Sequence, residues 1–303
     1  MINKIRREIF DFFPSRVLDC RNFVTDNIIK SAEEVRLRVG QPICIRNHHK
    51  ENFSEESLTS EDIRRILENF SNNSIYSVQD EINSGFITIQ GGHRIGITGT
   101  CVFEKETIKN IKYISSLNIR IAREVKECSN EILNQIMQNQ KFENTLILSP
   151  PGCGKTTLIR DMIRRLSNGN NLTQAYQIGL VDERAEIAAM YKGVPQNEIG
   201  KRTDVMNHCK KEIGMKLLIR SMGPQIIATD EIGGSREEEA IFEAVYSGVK
   251  LLLTAHGEEL KDVSQNMLDA KIFKNIVVLK NETKPGELAK IYFLEGNRYV
   301  SGF

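Results

Sequence analysis

Residues 145–166 read TLILSPPGCGKTTLIRDMIRRL, and within them Gly154, Lys155 and Thr156 have the spacing of a phosphate-binding loop. In the pattern G-x-x-x-x-G-K-[ST], backbone N–H groups cradle phosphates, the lysine reaches the β and γ oxygens, and the hydroxyl residue takes a place on Mg²⁺. Ser149 stands where the pattern begins with glycine. Glycine supplies mainly backbone freedom at that strand end, and a small serine fits there as long as φ stays negative. Pro150, Pro151 and Gly152 enforce a turn, and Cys153 and Gly154 continue it. Lys155, Thr156 and Thr157 open a helix whose N-terminal dipole faces the phosphates. Residues Ser149 to Thr157 are therefore expected to bind ATP, with Thr156 on the magnesium.

Three further groups stand at predicted strand ends. In PQIIATDEIGG, Ile226 and Ile227 mark a buried strand, and Asp230-Glu231 close its C-terminal end, where open α/β sheets bind ligands. There Asp230 can hold a Mg²⁺-bound water and Glu231 can polarise the attacking water. Successive strand residues point to opposite sides, so one carboxylate dominates each role. In VDERAEIAA, Asp182, Glu183 and Arg184 end another strand. A carboxylate at that point either orients the nucleophilic water as general base or caps a following helix. In LLLTAHGE, Thr254 and His256 are placed to sense a γ phosphate by hydrogen bond.

Phosphoryl transfer also needs positive charge on the departing oxygens. The candidates are Arg94 in GGHRIGITG, Arg120 and Arg123 in SLNIRIAREV, and Arg202 in GKRTDV. In LNIRIAR, Leu117, Ile119 and Ile121 share one face and Arg120 projects from the other. The sequence does not choose among these arginines.

From about residue 144 the elements that must position these groups alternate as strand, loop, helix. The strands are read in TLILS, QIGLVDE, QIIATDE and KLLLTAH, with helices from Lys155, over about 205–221 and over about 236–247. Short apolar runs between helices indicate a mainly parallel sheet buried on both faces. NIVVLK and AKIYFLE, flanking Lys284-Pro285-Gly286, are read as a closing hairpin. The first half has no βα alternation. EEVRLRVGQPICIRN reads as a hairpin turning at Gly40-Gln41-Pro42, and a helix capped at Thr59 or Ser60 carries Ile63, Ile66, Leu67 and Phe70. The fold class is thus α/β, with a smaller α+β domain over 1–140 and a nucleotide-binding domain over 141–303, joined through the polar run QNQKFEN at 138–144.

Forty-one basic and 40 acidic residues nearly cancel, so no global field favours nucleic acid, and aromatic residues are too sparse for a stacking platform. Six cysteines, Cys20, Cys44, Cys101, Cys128, Cys153 and Cys209, form no CxxC pair, which argues against a zinc site and a disulfide framework. No apolar run reaches membrane-spanning length, and MINKIRREIFDFFPSR lacks the pattern of a secretory signal. Its Ile5, Ile9, Phe10 and Phe13 suit a helix packed on the protein's own core.

Taken together, EEVRLRVGQP, GHRIGITG, SSLNIRIAREV, LSPPGCGKTTLIRD, VDERAEIA, the run GKRTDVMNHCKKEIGMKLLIRSMGPQIIATDEIGG, and TAHG span about residues 33–257. The set resembles the type II and type IV secretion and pilus motor ATPases, and within them the branch that serves endospore formation. The resemblance implies a RecA-like P-loop core and a homo-hexameric ring with ATP and Mg²⁺ at subunit interfaces. It also implies an integral membrane partner in a channel complex between mother cell and forespore, and a place in the mother-cell cytoplasm at the membrane facing the forespore. By the same resemblance Glu231 matches the acidic-strand glutamate, Glu183 falls in the acidic box and His256 in the histidine box, while Arg94, Arg120 and Arg123 fall where relatives contact nucleotide. Serine at the loop start looks like this branch's own version. Asp230 departs from the glycine many secretion motors have there, and their tetracysteine zinc module is absent. A nucleic-acid translocase and a non-catalytic ATP-binding assembly module are the alternative readings.

Overall fold

The alternation around Val35 and Leu37 becomes β1 (Glu34–Arg38), and Gly40, at φ +74°, turns the chain into β2 (Pro42–Arg46). The computed structural model describes residues 2–14, 17, 24–47, 50–71, 78–137, 141–169, 174–280 and 286–302. Cys20, residues 138–140 of the expected linker and the Lys284-Pro285 turn lie outside these described residues. The chain forms two compact units, Met1–Arg123 with Ala189–Gln196, and Glu124–Ala188 with Asn197–Phe303.

In the first unit α1 (Ile2–Glu8) and α2 (Asp26–Ser31) precede β1. After β2 come β3 (Glu51–Ser57), α3 (Ser60–Phe70), α4 (Gln79–Asn83), β4 (Phe86–Thr88), β5 (Arg94–Glu104) and β6 (Thr107–Arg120). The strands pair antiparallel in the order β3-β2-β1-β6-β5-β4. The register sets Val35 opposite Ile119 and Leu37 opposite Leu117, so one face is apolar. Ile63, Ile66, Leu67 and Phe70 of α3 cover it, joined by Ile5, Ile9, Phe10 and Phe13, so the amphipathic start packs on its own core. Thr59 caps α3 and Asp62 returns the bond, satisfying two N–H groups the helix leaves open. His93 is buried within this unit; its Nδ1 accepts from the Ala122 N–H at 3.0 Å, which leaves the proton on Nε2, 3.2 Å from Glu8.

The second unit begins with α5 (Asn130–Ile136), β7 (Thr145–Ser149), α6 (Lys155–Asn168) and β8 (Ile178–Asp182). The chain then leaves for β9 (Met190–Tyr191) and β10 (Val194–Pro195), which belong to the first unit, where Gln196 accepts from the Gly91 N–H at 2.8 Å. It returns for β11 (Thr203–Asn207), α7 (Lys211–Met222), β12 (Ile226–Thr229), α8 (Ser235–Tyr246), β13 (Lys250–His256), α9 (Gln265–Asp269), β14 (Asn275–Lys280), β15 (Glu287–Glu295) and β16 (Arg298–Gly302). The sheet order is β11-β8-β12-β13-β7-β14-β15-β16, parallel through β14 and antiparallel beyond it. Every residue of β7, β8 and β12 is buried, as strands covered on both faces require.

Three expectations change. The helix expected from about 205 starts at Lys211, because Thr203–Asn207 extends the open edge of β8 as a parallel strand. The closing hairpin gains a third strand, β16. The units part at Arg123/Glu124 rather than near 140, and the described residues of the expected linker sit inside the second unit. Phe142 is buried there, and the Asn144 side chain bonds Ile272 and Leu251, so its polarity serves the sheet rather than solvent.

Candidate active site

The parallel register aligns the carboxyl ends of the central strands, setting Ser149 of β7 opposite His256 of β13, and Thr229 of β12 opposite Leu253. Ser149 is fully buried, is not among the described residues with positive φ, and donates its hydroxyl to the Pro150 carbonyl at 2.9 Å. Glycine is thus not needed at this point of the loop. It is needed at Gly152 and Gly154, which have φ of +79° and +84°. Gly154 directly precedes the first turn of α6. Lys155 is buried; its Nζ donates to the carbonyls of Ser149 at 3.1 Å and Pro150 at 3.4 Å, and lies 3.1 Å from His256 Nδ1. Burial lowers its pKa, against the pull of Glu231, Cys153 and Asp230. α6 is anchored by Asp161, which accepts from the N–H and hydroxyl of Ser129 at 2.9 and 2.7 Å.

β13 lies between β7 and β12, so His256 stands between the lysine and the acidic strand end. Its Nε2 is 3.4 Å from Glu231 Oε1, and Glu231 Oε2 accepts from Arg184 at 2.5 Å. A continuous polar chain runs Lys155–His256–Glu231–Arg184. Glu231 has φ +47°, a backbone state that a side chain adopts only when its surroundings hold it there. They do: its N–H donates to Thr254 Oγ1 at 2.8 Å, and the next N–H to the Thr254 carbonyl at 2.8 Å. Thr254 is fully buried, so it holds Glu231 rather than facing a phosphate.

Asp230 is 2% exposed, and its carboxyl is pushed up to about 6 by burial first and then by Asp182 and Glu231. A divalent cation there would offset all three. Among the described residues no cluster of three or more His, Cys, Asp or Glu is placed to hold a metal by itself. Mg²⁺ dehydrates reluctantly and borrows phosphate oxygens, so a site for it needs only one or two protein groups. Thr156 and Asp230 are the residues present for it.

Asp182 is fully buried and accepts N–H bonds from Glu186 at 2.9 Å, Ile187 at 3.1 Å and Ala188 at 2.8 Å. It caps an irregular turn, not a helix, and Arg160 of α6 fixes the same turn through the Glu186 and Ile187 carbonyls at 2.6 and 2.8 Å. Glu183, the next carboxylate along the chain, pairs with Lys211 at 3.0 Å. Two clefts meet at His256. One, of about 650 Å³, is lined by Pro150, Pro151 and Lys261; the other, of about 490 Å³, by Arg184, Glu231 and Met267.

The arginine candidates separate. Arg94, Arg120 and Arg123 belong to the first unit. There the Arg94 guanidinium lies 3.4 Å over the Phe86 ring, Arg120 approaches Glu34 at 3.7 Å, and Arg123 donates to the Ala32 carbonyl at 2.8 Å. Arg202 bonds the Ser167 carbonyl at the far end of α6 from the loop, so it serves helix closure. Arg184, Thr254, Arg160 and Lys211 join the site without having been given these roles from sequence; only the crowding of acids around VDERAEIA hinted that cations must be close.

A family model described as "Sporulation stage III, protein AA" matches residues 6–299. The chain belongs to this family. It is 34% identical over 295 residues to the stage III sporulation protein AA of Bacillus subtilis (strain 168), covering 96% of each. Among solved structures, the Legionella pneumophila ATPase DotB is similar over 95% of this chain and 78% of its own, at 15% identity and a TM-score of 0.55. The pilus retraction motor PilT, solved with bound ADP, is similar over 94% of this chain and 80% of its own, at 16% identity and a TM-score of 0.58. These likenesses show a shared mixed α/β fold. Among the described residues no helix is long and apolar enough to cross a membrane.

Proposed function

We propose that the chain is a Mg²⁺-dependent ATPase that powers or assembles a secretion-like channel complex needed for endospore formation. The observation that carries this reading is the polar chain from Lys155 through His256 to Glu231 at aligned strand ends. A γ phosphate entering the loop would draw Lys155 off the Ser149 and Pro150 carbonyls, freeing His256 to meet the phosphate and Glu231 to orient water. Thr156 and Asp230 would hold Mg²⁺, which would supply positive charge against the phosphate oxygens. Glu183 is the second carboxylate available to the water. Arg94, Arg120 and Arg123 supply positive charge from a neighbouring copy in a ring, expected to be hexameric. The chain works from the mother-cell cytoplasm, on an integral membrane partner at the membrane facing the forespore.

Lys155→Ala is expected to bring ATP turnover to background and to block sporulation while the circular dichroism spectrum is unchanged. Turnover at the wild-type rate in that variant would sink the reading. In the native chain, specific activity should rise with protein concentration as copies assemble, with oligomer size followed in parallel.

A further inference from the structure

α7 begins at Lys211, which is only 7% exposed. An ammonium at a helix start works against the positive end of the macrodipole, so the helix itself gives no reason for it. A buried ammonium also costs several kcal/mol unless carboxylates compensate it. Two do. Lys211 Nζ lies 3.0 Å from Glu183, just past the end of β8, and 3.4 Å from Glu237 in the first turn of α8. The other oxygen of Glu237 accepts from the Gly233 N–H at 2.7 Å and the Gly234 N–H at 3.2 Å, and so grips the loop that leaves Glu231. One cation therefore ties the end of β8, the start of α7 and the start of α8. Without it, the carboxylates gathered at these strand ends would repel one another across a low-dielectric space.

We propose that Lys211 is a positioning residue: it fixes Glu183 and, through Glu237, the loop carrying Glu231, in the relation that hydrolysis needs. The proposal rests on the ATPase reading for its kinetic consequence and on geometry alone for the tie. Burial opposes the charge on Lys211, yet the two carboxylates keep its pKa above the ordinary value.

The test compares Lys211→Met with Lys211→Arg in the full chain, using amide hydrogen exchange without nucleotide and steady-state turnover with Mg-ATP. In the Met variant, exchange in residues 183–188 and 231–237 should speed up about tenfold or more. Its kcat should fall about tenfold to a hundredfold, with KM within about threefold. Arginine, which keeps the charge, should restore most of both. Unchanged exchange in the Met variant overturns the tie, and faster exchange with an unchanged kcat overturns the positioning role. A wild-type chain without turnover sinks the ATPase reading, and exchange alone then decides the tie. Should the Met variant fail to fold, Glu237→Gln is expected to show the same pattern at smaller size, and no change there overturns the proposal.

Discussion

Buried polar groups in the two units have opposite fates. In the first unit His93 is sealed in the core with both ring nitrogens bonded, one to the Ala122 N–H and one to Glu8. Burial lowers its pKa, so it stays neutral and nothing is left unmet. In the second unit Asp230 is just as deeply buried but is crowded by like charge, and Lys155 rests on loop carbonyls that a phosphate would replace. A closed network of polar groups fixes a fold, whereas a buried charge held against its own solvation marks a place where a ligand completes the structure.

The largest expected effect that could break this contrast is at Asp230. Its folded pKa, about 6, lies above the usual carboxylate value of 3.8, so the ionised folded state is penalised. The penalty is absent below about pH 4, grows as pH rises, and is complete above about pH 6. Asp230→Asn should therefore raise the unfolding free energy of the nucleotide-free protein at pH 8 by about 1–3 kcal/mol, with the gain fading toward pH 4. Turnover should fall by about a hundredfold or more in the same variant. A less stable Asn variant at pH 8 would place Asp230 among the satisfied groups. Next in size, His93→Leu should cost about 2–3 kcal/mol in urea unfolding, because it strands the Ala122 N–H and Glu8, while nucleotide affinity stays unchanged. A cost near zero would show that the network in the first unit is dispensable. Smallest, Thr254→Val removes the acceptor that holds Glu231 in its positive-φ state. It should cost about 1–2 kcal/mol and lower kcat more than it raises KM. A rise in KM alone would return Thr254 to the role of phosphate contact.

What was legible from sequence was local. Lys155, Gly154 and the strand before them are read from one loop, because spacing along the chain fixes the geometry of a strand–turn–helix. Asp230 and His256 were legible as strand ends, but their relation to Lys155 was not. It depends on β13 lying between β7 and β12, an order set by packing over more than a hundred residues. The partners of Arg184, Thr254 and Lys211 were not legible for the same reason: each is met across strands or helices. Phe142 and Asn144 misled because a polar run reads as a linker until one sees which backbone groups it satisfies. Asp182 was ambiguous between base and cap, and its N–H bonds from residues 186–188 make it a cap of a turn.

The excursion of residues 189–196 into the first unit has a consequence for synthesis. A chain leaving the ribosome from its N-terminus would complete all six strands of the first sheet by Arg123, yet the acceptor for the Gly91 N–H, Gln196, emerges only roughly seventy residues later. At ordinary elongation rates that is a delay on the order of several seconds. By then the phosphate loop and β8 have already been made. The last piece of the first unit is thus delivered by the nascent second one, which makes the order of translation part of how this protein is assembled.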